Sequence, residues 1–200
     1  DLRERLEALR HAHPEDVRDE TVRELQQRFA VATDQSLRVR TLAQALYDGV
    51  ANGDAHAESR RELGWACDLH EVGQMVSHHD HHRHSAYLVA NVDAAGFSQS
   101  QQRRISELVL GQRGGLRKLD PALSNAAFAW QTLCLRLAVI ECHARGAIDP
   151  HALRLERNGR TARLHYRPDW ADSHPRTLHL LREEAEAWSR QGPLELRLPD

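Results

Sequence analysis

Histidine and carboxylate side chains are concentrated in one stretch near the middle of the sequence. His70 and Glu71 are adjacent, and five histidines, an aspartate and an arginine follow at positions 78–84. Imidazole and carboxylate groups are suitable ligands for zinc, manganese or iron. Cys67 stands three residues before His70, so the two side chains are expected to share one face of a helix. These residues raise the hypothesis of a metal-dependent hydrolase.

The spacing of the same residues weakens this hypothesis. A zinc metalloprotease helix carries a second histidine four residues after the first, and Gln74 occupies that position here. The rings at positions 78–84 are also too crowded for most of them to converge on one ion. A simpler interpretation is that these histidines cap a helix and form hydrogen bonds around a tight turn.

Basic residues near this stretch suggest a second chemistry, the binding of phosphate groups. Arginine binds phosphate in a bidentate manner, and histidines add positive charge below about pH 6.5. The net charge is −2 with histidine neutral, so a polyanion site must be a local patch. The candidate residues lie in the histidine run and in a glycine-containing segment that follows it: Arg83, Arg113, Arg117, Lys118, His82 and His84. Lys118 is the only lysine of the chain.

Length and composition narrow the class of protein. The 200 residues suit one domain of ordinary size, or a helical domain with a small appendage. Three cysteines without a CxxC pair fit a reducing compartment, so we expect a cytoplasmic protein. No apolar stretch approaches the roughly 18 residues of a membrane span. The chain begins at Asp1 rather than methionine, so we expect a fragment of a longer protein.

Helical periodicity dominates the first 146 residues. Leu2, Leu6 and Leu9 predict a first helix, and Asp34 is the predicted N-cap of a later one. Ser98 and Gln101 have the spacing of a capping box, which predicts the start of another helix. The apolar pattern over residues 122–145 predicts the longest and most apolar helix of the chain. We expect this helix to end at Gly146 and to lie at the centre of the core. Because this helix is apolar around much of its circumference, we also expect the chain to form a homodimer.

The pattern changes after Gly146. Leucines alternate with charged residues on both sides of Asn158-Gly159, which predicts a β-hairpin with a two-residue turn. A helical pattern over 178–188 and an alternating pattern over 194–198 follow. The sequence therefore predicts a mostly α protein, with a helical bundle over 1–146 and a small α+β domain of ββαβ order over 147–200.

The run WACDLHEVGQMVSHHDHHRHSAYLVANVDAAGFSQSQQRRISELV, residues 65–109, strongly resembles the C-terminal region of the exopolyphosphatase and guanosine-pentaphosphate phosphatase family. The resemblance is dense over about 63–119 and weaker but collinear over the rest. It implies that the helical bundle is of the HD-phosphohydrolase type. It also implies that the magnesium-dependent catalytic lobes would precede Asp1, so this chain alone would be inactive and hold no cofactor.

The expected partners follow from the same resemblance. They are inorganic polyphosphate, the chain's own N-terminal catalytic lobes and a second copy of the chain. No nucleic acid is expected. The choice between polyphosphate and guanosine pentaphosphate as substrate would be made mostly in the catalytic lobes.

The HD-type metal site itself is expected to be vestigial. Such a site needs a first histidine, a His-Asp pair and a distal aspartate, and these positions match Gln35, His70-Glu71 and Val139. Glutamine is a poor metal ligand and valine is none. We therefore predict no catalytic residue and no bound metal. One alternative is a metal-dependent HD-type phosphohydrolase that acts on a nucleotide through His70, Glu71 and nearby histidines. Another is a purely structural helical scaffold.

Overall fold

A computed structural model describes residues 14–51, 53 and 56–200, so the helix predicted around Leu2, Leu6 and Leu9 lies outside the described residues. The described residues form eight α-helices and one three-stranded sheet: α1 (Pro14–Arg28), α2 (Thr33–Asp48), α3 (His56–Leu69), α4 (His81–Asn91), α5 (Gln99–Leu110), α6 (Ala126–Glu141), β1 (Arg154–Asn158), β2 (Thr161–His165), α7 (Pro168–Ser173), α8 (Pro175–Gln191) and β3 (Glu195–Arg197). Short 3-10 turns lie at Val72–Met75, Arg117–Leu119, Ala122–Ser124 and Cys142–Ala144. None of the described helices is both long and apolar enough to cross a membrane.

Helix α6 is the centre of the helical part, and most of its side chains are buried. It packs against α2, α3, α5 and α8, so its apolar circumference is covered within this chain and is no evidence for a dimer. The predicted bounds were too wide. The side chain of Asn125 accepts a hydrogen bond from the Phe128 N–H (3.1 Å) and caps α6 there. With 16 residues, α6 is also shorter than α8, which has 17.

Two predicted helix caps have different outcomes. Helix α2 begins at Thr33, so Asp34 is not its N-cap but lies in the first turn. There its carboxylate accepts a hydrogen bond from the Gln35 N–H (2.9 Å) and still stabilises the exposed end of the helix. Ser98 does cap α5, because its hydroxyl accepts a hydrogen bond from the Gln101 N–H (3.1 Å).

The predicted ββαβ order is confirmed, with the short helix α7 added before α8. Strand β1 pairs with β2 antiparallel, and β2 pairs with β3 parallel. The loop is shifted by one residue from the prediction: Asn158 pairs with Thr161, and Gly159-Arg160 form the turn. Gly159 has a φ of +61°, which a glycine adopts without strain at the first position of a tight hairpin turn.

The sheet and α8 lie against the helical bundle. A Cβ atom on Gly49, at the end of α2, would come within 2.6 Å of the Leu155 carbonyl oxygen, so a glycine is needed for this close approach. The guanidinium of Arg157 in β1 stacks over the Trp130 ring of α6 (4.8 Å). The fold class is thus confirmed as mostly α with a small α+β end, while the domain boundary after residue 146 stays a prediction.

Candidate functional site

His70 and Glu71 lie beyond the end of α3, in the turn that leads to Val72–Met75. His70 is buried, and its Nδ1 lies 2.5 Å from the Cys67 carbonyl oxygen. Burial lowers the pKa of His70, so the ring is neutral near pH 7. Burial also raises the pKa of the Cys67 thiol well above its usual range. Cys67 therefore contacts the His70 ring through its backbone carbonyl oxygen. Its thiol stays protonated near neutral pH and is a poor ligand for a metal ion.

Gly73 fixes this turn against α4. Its N–H donates a hydrogen bond to the Ser85 hydroxyl (2.8 Å), and a Cβ atom at this position would collide with the Ser85 nitrogen and the His81 carbonyl oxygen. The Gln112 side chain ties the same turn to the end of α5 by donating to the His70 carbonyl oxygen (2.8 Å). The glycine and the serine of the family pattern thus hold the turn in place.

The carboxylate of Glu71 is occupied by Arg145. Nitrogen Nη1 of Arg145 donates to Oε2 of Glu71 (2.7 Å) and Nη2 to Oε1 (3.2 Å), while Gln74 Nε2 donates to Oε2 (2.7 Å). Burial acts to raise the pKa of Glu71, but hydrogen bonds from Arg145 and the charges of His70 and Arg145 outweigh it, so the pKa is lowered. Glu71 is therefore an ionised, paired carboxylate at neutral pH.

A second set of bonds closes the site around Gln35. The Gln35 amide donates to the Cys142 carbonyl oxygen (2.8 Å), and its oxygen accepts two bonds from Arg38 (2.7 and 3.1 Å). Arg38 also donates to the backbone oxygen of Arg145 (2.9 Å). Arg145 has a left-handed backbone (φ +58°) and ends the 3-10 turn that follows α6. The sequence had predicted that the helix ends at Gly146.

The residues at the HD-type position do not fit a divalent metal ion. Both oxygen atoms of Glu71 bind Arg145, the amide oxygen of Gln35 binds Arg38, and Val139 has no donor atom and packs against the core. Nowhere in the part of the chain that the structure describes do three or more His, Cys, Asp or Glu side chains come together in a way that could hold a metal. The oxygen atoms at this position are therefore committed to arginine side chains, while the absence of metal from the protein stays a prediction.

Two histidines of the run, His81 and His82, do not supply the charge expected from the sequence. Burial, followed by neighbouring positive groups, lowers the pKa of both His81 and His82 to about 4. The Nδ1 atoms of both rings are buried and have no hydrogen-bond partner among the described residues. His81 and His82 therefore stay neutral at pH 6, and the expectation that they become positive below about pH 6.5 is wrong.

The basic loop, which we define as residues 111–119, lies beside the start of α4. Lys118 Nζ donates to the Arg113 carbonyl oxygen (2.5 Å). Burial and the positive charges of Arg136, Arg83 and Arg113 lower the pKa of Lys118 to about 8, against a smaller opposite effect of Asp80. In this part of the chain, positive charges therefore outweigh the negative charge that could neutralise them.

The predicted phosphate-binding residues are only partly brought together. Lys118 is electrostatically coupled to Arg83 and Arg113, and His82 to Lys118 and Arg113. Arg117 is exposed on the same loop, next to Lys118. His84 is half-buried on α4, and as the residue after Arg83 it faces about 100° away around the helix.

Sequence reasoning missed the buried ion pair that anchors the basic loop. The guanidinium of Arg136 in α6 donates to both carboxylate oxygens of Glu184 in α8 (2.7 and 2.8 Å) and to the carbonyl oxygens of Gly111 (3.0 Å) and Gly114 (2.9 Å). One signal was present in the sequence, because Arg136 is the only charged residue of the segment 126–140. A lone charge in an apolar helix requires a buried partner.

Comparison with known families agrees with these observations. The model of the family described as Ppx/GppA phosphatase, domain III, matches residues 17–185. The matched range covers most of the chain, including the His70–Glu71 turn, the basic loop, α6 and the first part of α8. It also contains the run over residues 65–109 that carries the resemblance. The chain belongs to the Ppx/GppA phosphatase family, and its matched residues correspond to domain III of that family.

Proposed function

We propose that this chain is the polyphosphate-binding and dimerisation part of an exopolyphosphatase, without a catalytic site of its own. Inorganic polyphosphate is the proposed ligand, and the basic loop with Arg83 is its binding surface. The observation that carries the proposal is the grouping of basic residues: Arg113, Arg117 and Lys118 share one loop, and Arg83 lies close enough to Lys118 to help lower its pKa together with burial. A chain of phosphates would supply the missing negative charge.

The accessibility of the charged groups supports this binding mode. Arg83, Arg113 and Arg117 are exposed, and Lys118 is half-buried. Exposed guanidinium groups can form charge-assisted, bidentate hydrogen bonds to phosphate oxygens. His82 lies close by but is neutral at physiological pH, so it contributes a hydrogen-bonding ring rather than a charge. Such contacts position a polyanion without cleaving it.

The proposal assigns hydrolysis to catalytic lobes outside this chain, with magnesium as their cofactor. Within the chain, Glu71 is paired with Arg145 and therefore cannot activate a water molecule as a free base. The alternative, an HD-type phosphohydrolase acting on a nucleotide, needs the same carboxylate as a metal ligand. That requirement makes the alternative the weaker candidate.

A titration of labelled polyphosphate across a salt series tests the proposed binding. With about three or four phosphate contacts, the slope of log K against log salt should be near −3, by analogy with nucleic acids. Replacing Arg113, Arg117 and Lys118 together by alanine should flatten the slope by about as many contacts as are lost. The matched control replaces three exposed arginines of the α+β end, Arg160, Arg163 and Arg182, and should leave the slope unchanged.

Two kinds of result would contradict the proposal, one from binding and one from activity. One is a triple variant of the basic loop that binds like the wild type, or an isotherm that does not depend on salt. The other is phosphate release from polyphosphate or a nucleotide by the purified chain, abolished by His70→Ala, which would favour the HD-type hydrolase. Release that is unaffected by His70→Ala would point to a contaminating enzyme.

A further inference from the structure

Arg136 contacts the basic loop at two of its three glycines. Its Nη1 nitrogen donates to the carbonyl oxygens of Gly111 and Gly114, at the start of the loop. These bonds fix the path of the backbone from the end of α5 towards Arg113 and Lys118. Gly114 has a left-handed backbone (φ +79°), and a Cβ atom there would come within 2.9 Å of Lys118 Nζ. The loop therefore follows one tight path beside the Arg136 guanidinium.

The other side of the Arg136 guanidinium is held by the α+β end of the chain. Arg136 and Glu184 are 5% and 4% exposed, so the pair is shielded from water. Glu184 also accepts a hydrogen bond from the Trp188 indole N–H (2.8 Å), which fixes the carboxylate against α8. The guanidinium thus bridges α8 on one side and the basic loop on the other.

We propose that Arg136 and Glu184 are positioning residues for the polyanion site, through which α8 holds the basic loop in its binding conformation. Neither residue needs to touch the ligand. The inference rests on the proposed polyphosphate function for its binding readout, but the positioning of the loop is a property of the free protein. It follows that the last 54 residues of the chain take part in polyanion binding, although none of the predicted binding residues lies there.

Three substitutions separate geometry from charge. Arg136→Met removes the guanidinium and fills a similar volume, and Glu184→Gln keeps the shape of the carboxylate but loses its charge. Arg136→Lys keeps the positive charge, but an ammonium group cannot bind a carboxylate in a bidentate way and two carbonyl groups at once. The matched control is Asp68→Asn, which breaks the ion pair of Asp68 with Arg40 between α2 and α3.

Each variant is examined by hydrogen exchange of the loop amides and by polyphosphate titration, at a temperature where circular dichroism shows it to be folded. We expect amide exchange over residues 112–119 to become at least about tenfold faster in all three variants of the pair. We expect polyphosphate affinity to fall about tenfold, the equivalent of about 1.4 kcal/mol. Asp68→Asn should change neither quantity, even though it also removes one partner of an ion pair.

The outcomes distinguish the two proposals. If the wild-type chain does not bind polyphosphate, the proposed function fails, and loop exchange alone decides whether the pair positions the loop. If the wild type binds and the variants match it in both affinity and loop exchange, the positioning inference is wrong. Full recovery of both quantities by Arg136→Lys would also overturn it, because charge without geometry would then be sufficient.

Discussion

Glu71 carries the carboxylate that an HD-type hydrolase would use to bind metal, and Arg145 takes both of its oxygen atoms. The guanidinium supplies from within the chain the positive charge that a metal would otherwise provide. Arg145 is 74 residues away in sequence and reaches Glu71 from a left-handed turn after α6. The sequence already showed that Gln35 and Val139 stand where an HD-type site would have metal ligands. The contact with Arg145 was not visible there, because a long-range ion pair leaves no local pattern.

Breaking this ion pair should cost stability without creating a metal site. Arg145→Met leaves the buried Glu71 carboxylate with only Gln74, so we expect the free energy of unfolding at pH 7 to fall by about 1–3 kcal/mol. The pKa of Glu71 is lowered in the folded chain, so the pairing stabilises the fold above the usual pKa of 4.5. That contribution is lost as the pH falls through the lowered value. The difference between wild type and variant, measured by urea unfolding, should therefore disappear in acid.

Elemental analysis completes the test of the Glu71 site. After exhaustive dialysis, the wild-type chain should contain well under one equivalent of zinc, manganese or iron. A tightly held ion that Glu71→Ala removes would contradict this expectation. An acid-independent effect of Arg145→Met would show instead that Arg145 stabilises the fold by packing alone.

Among the elements, the turn from His70 to Met75 and helix α4 form one packed unit. Residues of the family pattern help to build this unit. Gly73 and Ser85 bring the turn onto α4, the His70 ring is hydrogen-bonded to the Cys67 carbonyl oxygen, and the His70 carbonyl oxygen accepts a hydrogen bond from the Gln112 side chain. Part of this sequence pattern therefore has a structural cause. The predicted capping and hydrogen bonding by the histidines at positions 78–84 is not seen for His81 and His82, whose Nδ1 atoms have no hydrogen-bond partner among the described residues.

Gly73→Ala tests the importance of this packing. A Cβ atom would collide with backbone atoms of α4, which cannot move as a flexible side chain would, so we expect a loss of about 1–3 kcal/mol in the free energy of unfolding. The matched control is Gly146→Ala, because Gly146 has no atom within 4 Å of such a Cβ. Thermal or urea unfolding measures both variants. Equal stability of the two would show that the turn and α4 are loosely packed.

The elements themselves could be predicted from the sequence to different extents. Alternation and the Asn158-Gly159 pair were enough for the hairpin, because side chains in a strand alternate between two faces. The ends of α6 were placed wrongly because its apolar pattern continues through both flanking turns. The α-helix itself starts after the Asn125 cap and ends at Glu141, and a 3-10 turn that ends at the left-handed Arg145 follows it. Local bonds at the helix ends therefore decided boundaries that periodicity could not.

For the whole molecule, the expected homodimer needs a different surface from the one that the sequence suggests. Helix α6 is covered within the chain, so its apolar character does not support pairing. Large apolar side chains are instead exposed on the turn and helix beside the candidate site: Met75 is 62% exposed, Val76 60% and Tyr87 69%. The 3-10 turn that ends at Met75 packs against α4, which carries Tyr87. An exposed apolar surface of this kind is typical of an interface.

Sedimentation at tens of micromolar should show a dimer for the wild-type chain. Met75→Glu combined with Val76→Asp should shift the equilibrium to monomer, because pairing would bury two charges. Leu37→Glu is the matched control, since Leu37 on α2 is equally exposed (61%) and lies on a different helix. A wild-type monomer would contradict the proposed dimer. A Leu37 variant that also dissociates would place the interface elsewhere.

The proposed function depends on whether polyphosphate lies on the basic loop, and Lys118 can report this directly. Because it is the only lysine, reductive methylation with ¹³C labels its side chain and otherwise only the N-terminus. An NMR titration of the free chain should give a pKa of about 8, because Lys118 is partly buried and lies among Arg136, Arg83 and Arg113.

Adding polyphosphate should raise the pKa of Lys118 above 8, because the phosphates stabilise the charged amine. Without ligand, Lys118 loses its charge as the pH rises through 8, so polyphosphate affinity should fall between pH 7 and 9 while the arginines stay charged. We expect both effects in the same titration. A Lys118 pKa that does not change while polyphosphate binds would place the ligand elsewhere and contradict the proposed binding surface.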